Sequence, residues 1–332
     1  MAIVLVTGGA GYIGSHTCSR IKKAGHTPVV FDNLCNGHRE FVRWGPFEFG
    51  DIRDPKRLNE VFALYRPDAV IHFAALIEVG QSIRTPLEFY DNNVAGTITL
   101  LNAAVEWNCR RIVFSSTCAT YGDPCSNPIE ESHPQAPINP YGRSKLMIER
   151  ILADLSIRGE MSVAVLRYFN AAGAAIEEGI GEWHDPETHA VPLAVATALG
   201  LRKSFTLFGD TYETLDGSCI RDYVHVKDLA EAHLLALERL LKDGSSLEVN
   251  LGSGTGTSVM QLLSAVERVS GRSIAVEKHP PREGDAPALV ADASKAAELL
   301  DWRTSHDLSS IVSSAWEWHS HHGFYSRDRD KI

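Results

Sequence analysis

The stretch Ile3-Val-Leu-Val6 runs directly into Thr7-Gly-Gly-Ala-Gly-Tyr-Ile-Gly14, and it decides the fold. A short apolar run that ends at glycines predicts a buried strand of a parallel sheet. A helix is expected from about Tyr12 to Lys23. The three spaced glycines suit a dinucleotide-binding turn: one permits the turn, one lets the backbone approach a pyrophosphate, and one packs the helix on the strand. The start of the helix would then face the phosphates.

The next strand carries an acid that indicates which dinucleotide binds. Residues 28–31 form an apolar run ending at Asp32, 18 residues beyond Gly14. A carboxylate about 20 residues past such a turn binds a ribose 2′-OH. Asn33 and Leu34 follow it in place of an arginine, which favours NAD over NADP. The alternative is a strand–turn–helix unit that binds no ligand.

Strands and helices alternate through the first half of the chain. This alternation predicts an α/β fold with a doubly wound parallel (Rossmann) sheet. Ligands bind such sheets at the carboxyl ends of the strands, so residues that follow the strands are expected at one crevice. The predicted strands are 3–6, 28–31, 47–49, 69–72, 111–114 and 162–166, and the predicted helices are 12–23, 54–64, 86–107 and 140–158.

Beyond residue 170 the pattern becomes irregular, with loops rich in Gly, Glu and His. A chain of 332 residues is long for one core and suggests two lobes, or one large domain with a cap. We expect an NAD-binding Rossmann domain at 1–170, with returning segments at about 220–252, and a smaller substrate-binding lobe at 171–332. The elements expected in the second half are helices at 226–241, 292–300 and 308–319 and a strand at 247–250.

Composition excludes several classes of partner. Apolar content of 44% and charged content of 22% are ordinary for a soluble globular protein. A net charge of −10 argues against nucleic acid and anionic membranes as partners. The first apolar run lacks the features of a signal peptide, and no run reaches the ~20 residues that span a bilayer. Six cysteines without a CxxC pair fit reduced thiols in a cytoplasm.

The stretch Asn139-Pro-Tyr-Gly-Arg-Ser-Lys145 carries the candidate chemistry. Asn followed by Pro signals a helix start, so Tyr141 stands in the first turn and Lys145 lies one turn further on the same face. A tyrosine titrates near ~10, and the lysine and the helix dipole are expected to lower its pKa. Tyr141 is therefore a candidate base. The same spacing also occurs in ordinary surface pairs, so the neighbouring motifs decide.

Five motifs give the chain a family likeness. Together they resemble the extended short-chain dehydrogenase/reductases and, within them, the UDP-glucose 4-epimerase (UDP-galactose 4-epimerase) group of the rhizobial type. The likeness runs from residue 3 to about 318 and includes Glu187-Thr-His-Ala190 and Arg282-Glu-Gly-Asp285. The five motifs are Thr7-Gly-Gly-Ala-Gly-Tyr-Ile-Gly-Ser-His16, Phe114-Ser-Ser-Thr117, Asn139-Pro-Tyr-Gly-Arg-Ser-Lys145, Arg167-Tyr-Phe-Asn170 and Arg221-Asp-Tyr-Val-His225.

The resemblance implies an NAD-dependent isomerase that interconverts UDP-galactose and UDP-glucose. Tyr141 would take the proton of the sugar 4-OH while the C4 hydride passes to tightly bound NAD. Lys145 would lower the pKa of Tyr141 and bond the nicotinamide ribose, and Thr117 would hold the 4-oxygen. The 4-keto sugar would rotate in the cleft and recover the hydride on its other face. The family also implies a homodimer, through helices such as 86–107 and 140–158.

Further site residues follow from the resemblance alone. The implied cofactor-binding residues are Gly8, Gly11, Tyr12, Ile13, Gly14, Asp32, Asn33, Cys35, Asn36, Asp51, Ile52, Phe73, Ala74, Asn92, Tyr141, Lys145 and Phe169. The implied substrate-binding residues are Thr117, Tyr141, Asn170, His189, Thr206, Leu207, Phe208, Arg221, Tyr223, Arg282, Asp285 and Leu289. Two arginines suit a diphosphate, because each can make bidentate charge-assisted bonds. These two arginines would allow a protein with a net negative charge to bind an anionic substrate.

Three positions depart from the family pattern. Ile77 stands where some members have a cofactor-facing lysine, and His189 stands where many have asparagine. Leu289 occupies a position that is Tyr in some members and smaller in others, where it bears on tolerance of N-acetylated sugars. Activity on UDP-N-acetylhexosamines or UDP-pentoses therefore stays open.

Two other functional classes are weighed against an epimerase. A nucleotide-sugar 4,6-dehydratase would need an Asp-Glu pair after Thr117, where this chain has Cys118-Ala119. A dinucleotide-binding sensor would not need Tyr141 and Lys145 in register. No metal site is predicted, and the histidines at 319, 321 and 322 are expected in a solvated tail.

Overall fold

The computed structural model describes residues 1–282 and 285–322. Residues 283 and 284 of the Arg282–Asp285 motif, and residues 323–332 of the predicted second lobe, lie outside this part. The strands are β1 (Ile3–Thr7), β2 (Thr27–Asp32), β3 (Phe47–Phe49), β4 (Ala69–His72), β5 (Arg111–Thr117), β6 (Ser162–Tyr168), β7 (Asn170–Ala172), β8 (Phe205–Phe208), β9 (Ile220–His225), β10 (Leu247–Leu251), β11 (Gly256–Ser258), β12 (Val276–His279) and β13 (Ala288–Leu289).

Three helices in the first half of the chain begin and end within one residue of where the sequence predicts them. The helices are α1 (Tyr12–Lys23), α2 (Pro55–Tyr65), α3 (Val79–Arg84), α4 (Pro86–Phe89), α5 (Gly96–Glu106), α6 (Pro140–Ile157), α7 (Ala190–Ala198), α8 (Val226–Asp243), α9 (Val259–Ser270), α10 (Ser294–Leu300) and α11 (Leu308–His322). Short 3-10 turns cover Arg39–Phe41, Cys118–Thr120 and Ile176–Glu178, and a π-helical segment covers Tyr90–Ala95. Among the described residues, none of these helices has the length and apolar character needed to cross a membrane.

A seven-stranded parallel sheet, in the order β10-β6-β5-β4-β1-β2-β3, forms the centre of the fold. Both faces of β1 are buried. Val4 and Val6 pack with Ile21 of α1 on one face, whereas Leu5 packs with Phe62 of α2 on the other. Burial on both faces explains the continuous apolar run, and each such side chain contributes about 1.5–3 kcal/mol. The predicted doubly wound α/β fold is confirmed.

The predicted helix over 86–107 is not continuous. It is interrupted by the π-helical segment Tyr90–Ala95, which lies between α4 and α5. In this segment the amide of Asn93 donates to the Leu76 carbonyl oxygen at 3.0 Å and to the Ser144 hydroxyl of α6 at 3.1 Å. The hydrophobic periodicity of the sequence does not reveal a π-helical segment of this kind. The polar contacts of Asn93 accompany it.

The second half of the chain is more regular than its sequence suggests. The smaller sheet is formed by β9 with β7, β11 and β13, and β8 pairs with β12. Helices α7, α9 and α11 share one apolar cluster beside these strands. The expectation of irregular loops was wrong for α7 and α9. A reciprocal capping box between Ser258 and Gln261 begins α9, and this signal is visible in the sequence.

One part of the second half returns to the main sheet. β10 pairs with β6 at the edge of that sheet, and α8 packs beside α1. β9 belongs to the smaller sheet, so the returning part is α8 and β10. The domain boundary at residue 170 stays a prediction. His319 lies on α11 and is buried, so the expected solvated tail was wrong for this residue.

Candidate active site

The carboxyl ends of the central strands open into one cleft of about 430 Å³. Residues from both halves of the chain line it, as the rule for parallel sheets predicts. The predicted site residues in its lining are Gly8, Gly11, Tyr12, Ile13, Gly14, Asp32, Asn33, Cys35, Asn36, Ile52, Phe73, Ala74, Asn92, Thr117, Tyr141, Lys145, Phe169, Asn170, His189, Arg221, Tyr223 and Leu289. The predicted residues outside the lining are Asp51, Thr206, Leu207, Phe208, Arg282 and Asp285.

The glycine turn between β1 and α1 fits the pyrophosphate of a dinucleotide. Gly8 has φ +72°, and a Cβ there would lie 2.6 Å from the Ala74 nitrogen, so this turn requires glycine. Gly11 lines the cleft, and a Cβ there would meet only the Gly8 carbonyl oxygen, at 3.3 Å. The first turn of α1 has no acidic residue. Its N–H groups and dipole therefore favour an anion at this position.

Asp32 is held rigidly at the wall of the cleft. Its two carboxylate oxygens accept hydrogen bonds from the backbone N–H groups of Ala10, at 3.0 Å, and Leu34, at 2.8 Å. Burial raises the pKa of Asp32, and the two backbone hydrogen bonds oppose this rise. Each oxygen keeps a lone pair, so the carboxylate can still accept from a ribose hydroxyl.

An arginine that sequence reasoning missed organises the far end of this wall. Arg53 lies 2.8 Å from Asp51 and 2.9 Å from Asp91, and Asn33 donates to Asp51 at 3.0 Å. The hydrogen bond from Arg53 lowers the pKa of Asp51 to about 2. Asp51 therefore positions the loop that carries Asn33, while its own carboxylate is already paired. The signal in the sequence was a cation two residues after the predicted acid.

The start of α6 brings Tyr141 next to Thr117. The Asn139 side chain accepts from the Gly142 N–H at 2.8 Å, with Pro140 following the cap as predicted. A Cβ on Gly142 would lie 2.5 Å from the Ala119 carbonyl oxygen, so α6 approaches the turn after Thr117 closely. The side chains of Tyr141 and Thr117 both line the cleft, and Thr117 influences the pKa of the phenol.

The pKa of Tyr141 differs in direction from the expectation. Burial raises it well above the ordinary value and nearby Tyr168 adds to the rise, whereas the hydrogen bond with Thr117 opposes it. Lys145 does not supply the expected lowering. Its Nζ donates to the Ser115 carbonyl oxygen at 2.8 Å and lies 4.9 Å from the centroid of the Phe114 ring. Burial also lowers the pKa of Lys145 to about 7, so much of its charge is lost near neutrality.

A buried ion pair lies one turn beyond Lys145 and was missed from the sequence. Arg167 of β6 bonds both carboxylate oxygens of Glu149, with a closest distance of 2.8 Å, and reaches Glu248 at 2.9 Å. Ser116 of β5 also donates to Glu149. Since Glu149 follows Lys145 by four residues, this network fixes α6 to the strands that end at the cleft. Its signal was the acid at helical spacing from Lys145.

Four predicted substrate-binding residues form one group, of which Arg221 lines the cleft and Phe208, Arg282 and Asp285 lie outside its lining. The carboxylate of Asp285 lies 3.5 Å from the guanidinium of Arg221 and 3.6 Å from that of Arg282. The Arg282 guanidinium stacks 4.2 Å from the centroid of the Phe208 ring. Arg221 also donates to the Ala286 carbonyl oxygen at 2.9 Å. This arrangement places two cations and one aromatic face together.

The other predicted substrate positions are distributed unevenly. Asn170 and Tyr223 are register partners on β7 and β9, and both line the cleft. Leu207, in contrast, is buried in the core of the smaller lobe, and Thr206 is paired in register with Glu277 of β12. The structure therefore does not bring the Leu207 side chain to the cleft.

His189 stands in a group of titratable side chains that sequence reasoning did not assemble. Its Nδ1 lies 2.9 Å from Glu187 and 3.1 Å from Glu182, and His184 lies beside the same two carboxylates. These carboxylates raise the pKa of His189, while its burial and the neighbouring His184 oppose the rise. The signal was an alternation of acids and histidines over residues 182–189.

A family model now decides the classification. The model of the NAD dependent epimerase/dehydratase family matches residues 4–252. The chain belongs to this family. The match covers β1 to β10, and therefore includes the glycine turn, Tyr141 and Lys145.

Individual proteins of the same kind resemble nearly the whole chain. UDP-glucose 4-epimerase of Rhizobium leguminosarum bv. trifolii is 59% identical over 317 residues, which are 96% of this chain and 97% of that protein. UDP-glucose 4-epimerase from Brucella ovis in complex with NAD has a TM-score of 0.94 and 49% identity, covering 98% of this chain and 100% of that one. UDP-glucose-4-epimerase from Stenotrophomonas maltophila, with NAD and formylated UDP-arabinopyranose, has a TM-score of 0.94 and 40% identity, covering 97% and 99%.

These findings confirm the resemblance to rhizobial-type epimerases. They also confirm NAD as the cofactor class of the family, in agreement with the interpretation of Asp32. The roles of individual site residues stay predictions.

Proposed function

We propose that this family member is a UDP-glucose 4-epimerase, which interconverts UDP-galactose and UDP-glucose with the help of NAD. The observation that carries the proposal is one cleft lined by Tyr141, Thr117, Lys145 and the glycine turn. The similar proteins from Rhizobium and Brucella support it, since they carry this name.

The chain's own residues fit NAD along the length of the cleft. The turn at Gly8–Gly11 and the start of α1 would take the pyrophosphate, and Asp32 would accept from the adenosine ribose. Lys145 would donate to the nicotinamide ribose from its fixed position beside Ser115. When bound, the nicotinamide supplies the acceptor and later the donor of a hydride.

We assign the transfer of the sugar 4-hydroxyl proton to Tyr141 and Thr117. Thr117 orients the 4-oxygen, and the Tyr141 oxygen takes and returns its proton. Since burial favours the neutral phenol, the phenolate is a strong base once formed.

The nucleotide part of the substrate fits the outer end of the cleft. We assign the diphosphate to Arg221 and Arg282, because guanidinium groups bind phosphate oxygens in pairs. The Phe208 ring, already stacked on Arg282, offers a face for the uracil base. Asp285 holds the two arginines in place between them.

The breadth of substrates is a second proposal. The Stenotrophomonas protein binds a formylated UDP-pentose. Leu289 lines the cleft here and is intermediate in size between the family alternatives. We therefore include UDP-pentoses as candidate substrates. A 4,6-dehydratase is disfavoured, because Cys118 and Ala119 offer no acid in the 3-10 turn after Thr117.

One incubation tests the proposal and separates it from the alternatives. Purified protein is incubated with UDP-galactose without added NAD, and the products are separated by chromatography. UDP-glucose is the expected product. A 4-keto-6-deoxy sugar would indicate a dehydratase, and the absence of turnover with NAD present would indicate a dinucleotide-binding sensor.

We also propose that the protein forms a homodimer and is located in the cytoplasm. Leu87 of α4, Ile98 of α5 and Met147 of α6 are exposed apolar side chains on helices of the predicted interface. The described part of the chain contains all six cysteines and shows no disulfide between them, which fits a reducing compartment. Light scattering of the purified protein should give twice the chain mass, and Met147→Glu should shift it towards the monomer; a wild-type monomer would contradict the proposal.

A further inference from the structure

Two glutamates and two histidines converge beside the cofactor end of the cleft. They are Glu182, His184, Glu187 and His189, all on the segment that leads into α7. One ligand atom from each side chain lies within 4.8 Å of every other. The Glu182 and Glu187 side chains are only 3% and 9% exposed. Neither the proposed proton transfer nor the proposed diphosphate contacts use the Glu182, His184 and Glu187 side chains.

The spacing of these atoms matches the coordination shell of a small cation. The Nδ1 of His184 lies 3.4 Å from Glu182 and 3.5 Å from Glu187, and the Nδ1 of His189 lies 3.1 Å and 2.9 Å from the same residues. Four ligands at 2.0–2.2 Å from a tetrahedral zinc ion are separated from one another by about 3.3–3.6 Å. The four histidine–carboxylate separations of 2.9–3.5 Å lie near this range, and no two of the ligand atoms are more than 4.8 Å apart.

Two polar atoms in the cluster lack a hydrogen-bond partner. They are the His184 Nδ1 and one carboxylate oxygen of Glu187, both buried. Buried polar atoms in native proteins are almost always satisfied, and two buried carboxylates side by side repel each other. A hydrogen bond to a carboxylate would satisfy the Nδ1 of His189. The Nδ1 of His184 lies too far from both carboxylates for a good hydrogen bond. A divalent cation would satisfy all four groups.

We propose that Glu182, His184, Glu187 and His189 bind one divalent transition-metal cation. A mixed nitrogen and oxygen set of four ligands favours Zn²⁺. The site has four protein ligands, which is typical of a structural metal and not of a catalytic one.

The position of the cluster indicates what the cation stabilises. The His184 ring packs edge-on against the ring of Tyr12, with centroids 6.2 Å apart, and Tyr12 is the first residue of α1. The Tyr12 hydroxyl donates to the Gly173 carbonyl oxygen at 2.6 Å. The cation therefore fixes the 182–189 segment over the start of α1, where the proposed NAD pyrophosphate lies. This role rests on the proposed cofactor site, whereas binding of the cation does not.

Metal analysis of the intact, untagged protein tests the proposal. The protein is stripped with EDTA, incubated with ZnCl₂, passed through a desalting column and analysed for zinc. We expect about one Zn²⁺ per chain, and a melting temperature that EDTA lowers and ZnCl₂ restores. Failure of the wild-type protein to retain zinc, or an unchanged melting temperature, would overturn the proposal. These readouts need no activity, so they stand apart from the proposed epimerase function.

Matched variants locate the ion. Glu187→Gln and His184→Asn should lower zinc retention to about a tenth or less, because each removes a ligand. His321→Asn, which changes an exposed histidine of α11, should retain zinc like the wild type. Circular dichroism confirms that each variant is folded. Equal zinc content in all three folded variants would assign the ion to another place and contradict the proposal.

Discussion

Lys145 is anchored to the strand that ends in Thr117, because its Nζ donates to the Ser115 carbonyl oxygen at 2.8 Å. The backbone of β5 therefore fixes the distance between the ammonium group and the proposed reaction centre. At 2% exposure the group is almost completely desolvated, which lowers the pKa of Lys145 to about 7.

Lys145 should make the stability of the protein depend on pH. Its pKa in the folded state, about 7, lies below the ordinary lysine value of 10.5, so the unfolded chain binds more protons between these values. The free energy of unfolding should therefore rise with pH from about 7 to about 10.5, by up to ~1.4 kcal/mol per pH unit from this group. Lys145→Met should remove this component. Urea unfolding of both proteins across this range measures it, and parallel curves would contradict the expectation.

Tyr141→Phe should abolish most turnover while leaving NAD bound. The variant keeps the ring but loses the oxygen that takes the sugar proton, so kcat should fall by at least about 10²–10⁴-fold. NAD content, measured after denaturing the purified protein, should remain near the wild-type value. Tyr65→Phe is the control, since it removes a hydroxyl that bonds Glu48 away from the cleft. Full activity in Tyr141→Phe would rule out this residue as the base.

Asp32→Asn should weaken NAD binding. The carboxylate already accepts two backbone N–H groups, and the amide would turn an NH₂ group towards one of them. Loss of a charged acceptor costs about 1.5–3 kcal/mol, or about 10–100-fold in affinity. Asp54→Asn is a suitable control, because Asn can keep the cap that Asp54 provides to α2. Equal NAD content in both variants after extensive dialysis would contradict the role of Asp32.

Arg167→Met should destabilise the protein strongly. It would leave Glu149 buried and without its guanidinium partner, at a cost of about 3–5 kcal/mol. The double variant Arg167→Met, Glu149→Met should recover part of this loss, because no isolated charge remains. Denaturant unfolding of the wild type, both single variants and the double variant gives the coupling energy. Additive effects would show that the pair is not energetically coupled.

The sequence predicts the main sheet and the residues at its carboxyl ends well. Short apolar runs followed by glycine, Asp32 or Thr117 predict the strands of a parallel sheet that is buried on both faces. The cap formed by Asn139 and Pro140 likewise depends on local chemistry alone. Each of these features depends on residues that are close together in the chain, so a single sequence is enough to predict it.

Features that depend on contacts between distant segments were not readable. Asn93 meets Leu76 and Ser144 only in the folded chain, so the π-helical segment has no periodic signal. Helix α7 is buried on most sides and therefore lacks an amphipathic pattern. The pKa of Tyr141 depends on how completely the cleft removes water, and a helical spacing cannot report this.

The pairing of β10 with β6 has a consequence for biosynthesis. A ribosome that has released only residues 1–170 exposes β6 as a bare sheet edge, and Arg167 still lacks its contact with Glu248. Such an edge is a template for aggregation until residues 247–251 arrive to cover it. The nascent chain therefore exposes this edge through the synthesis of almost eighty further residues, and aggregation is most favoured during that interval.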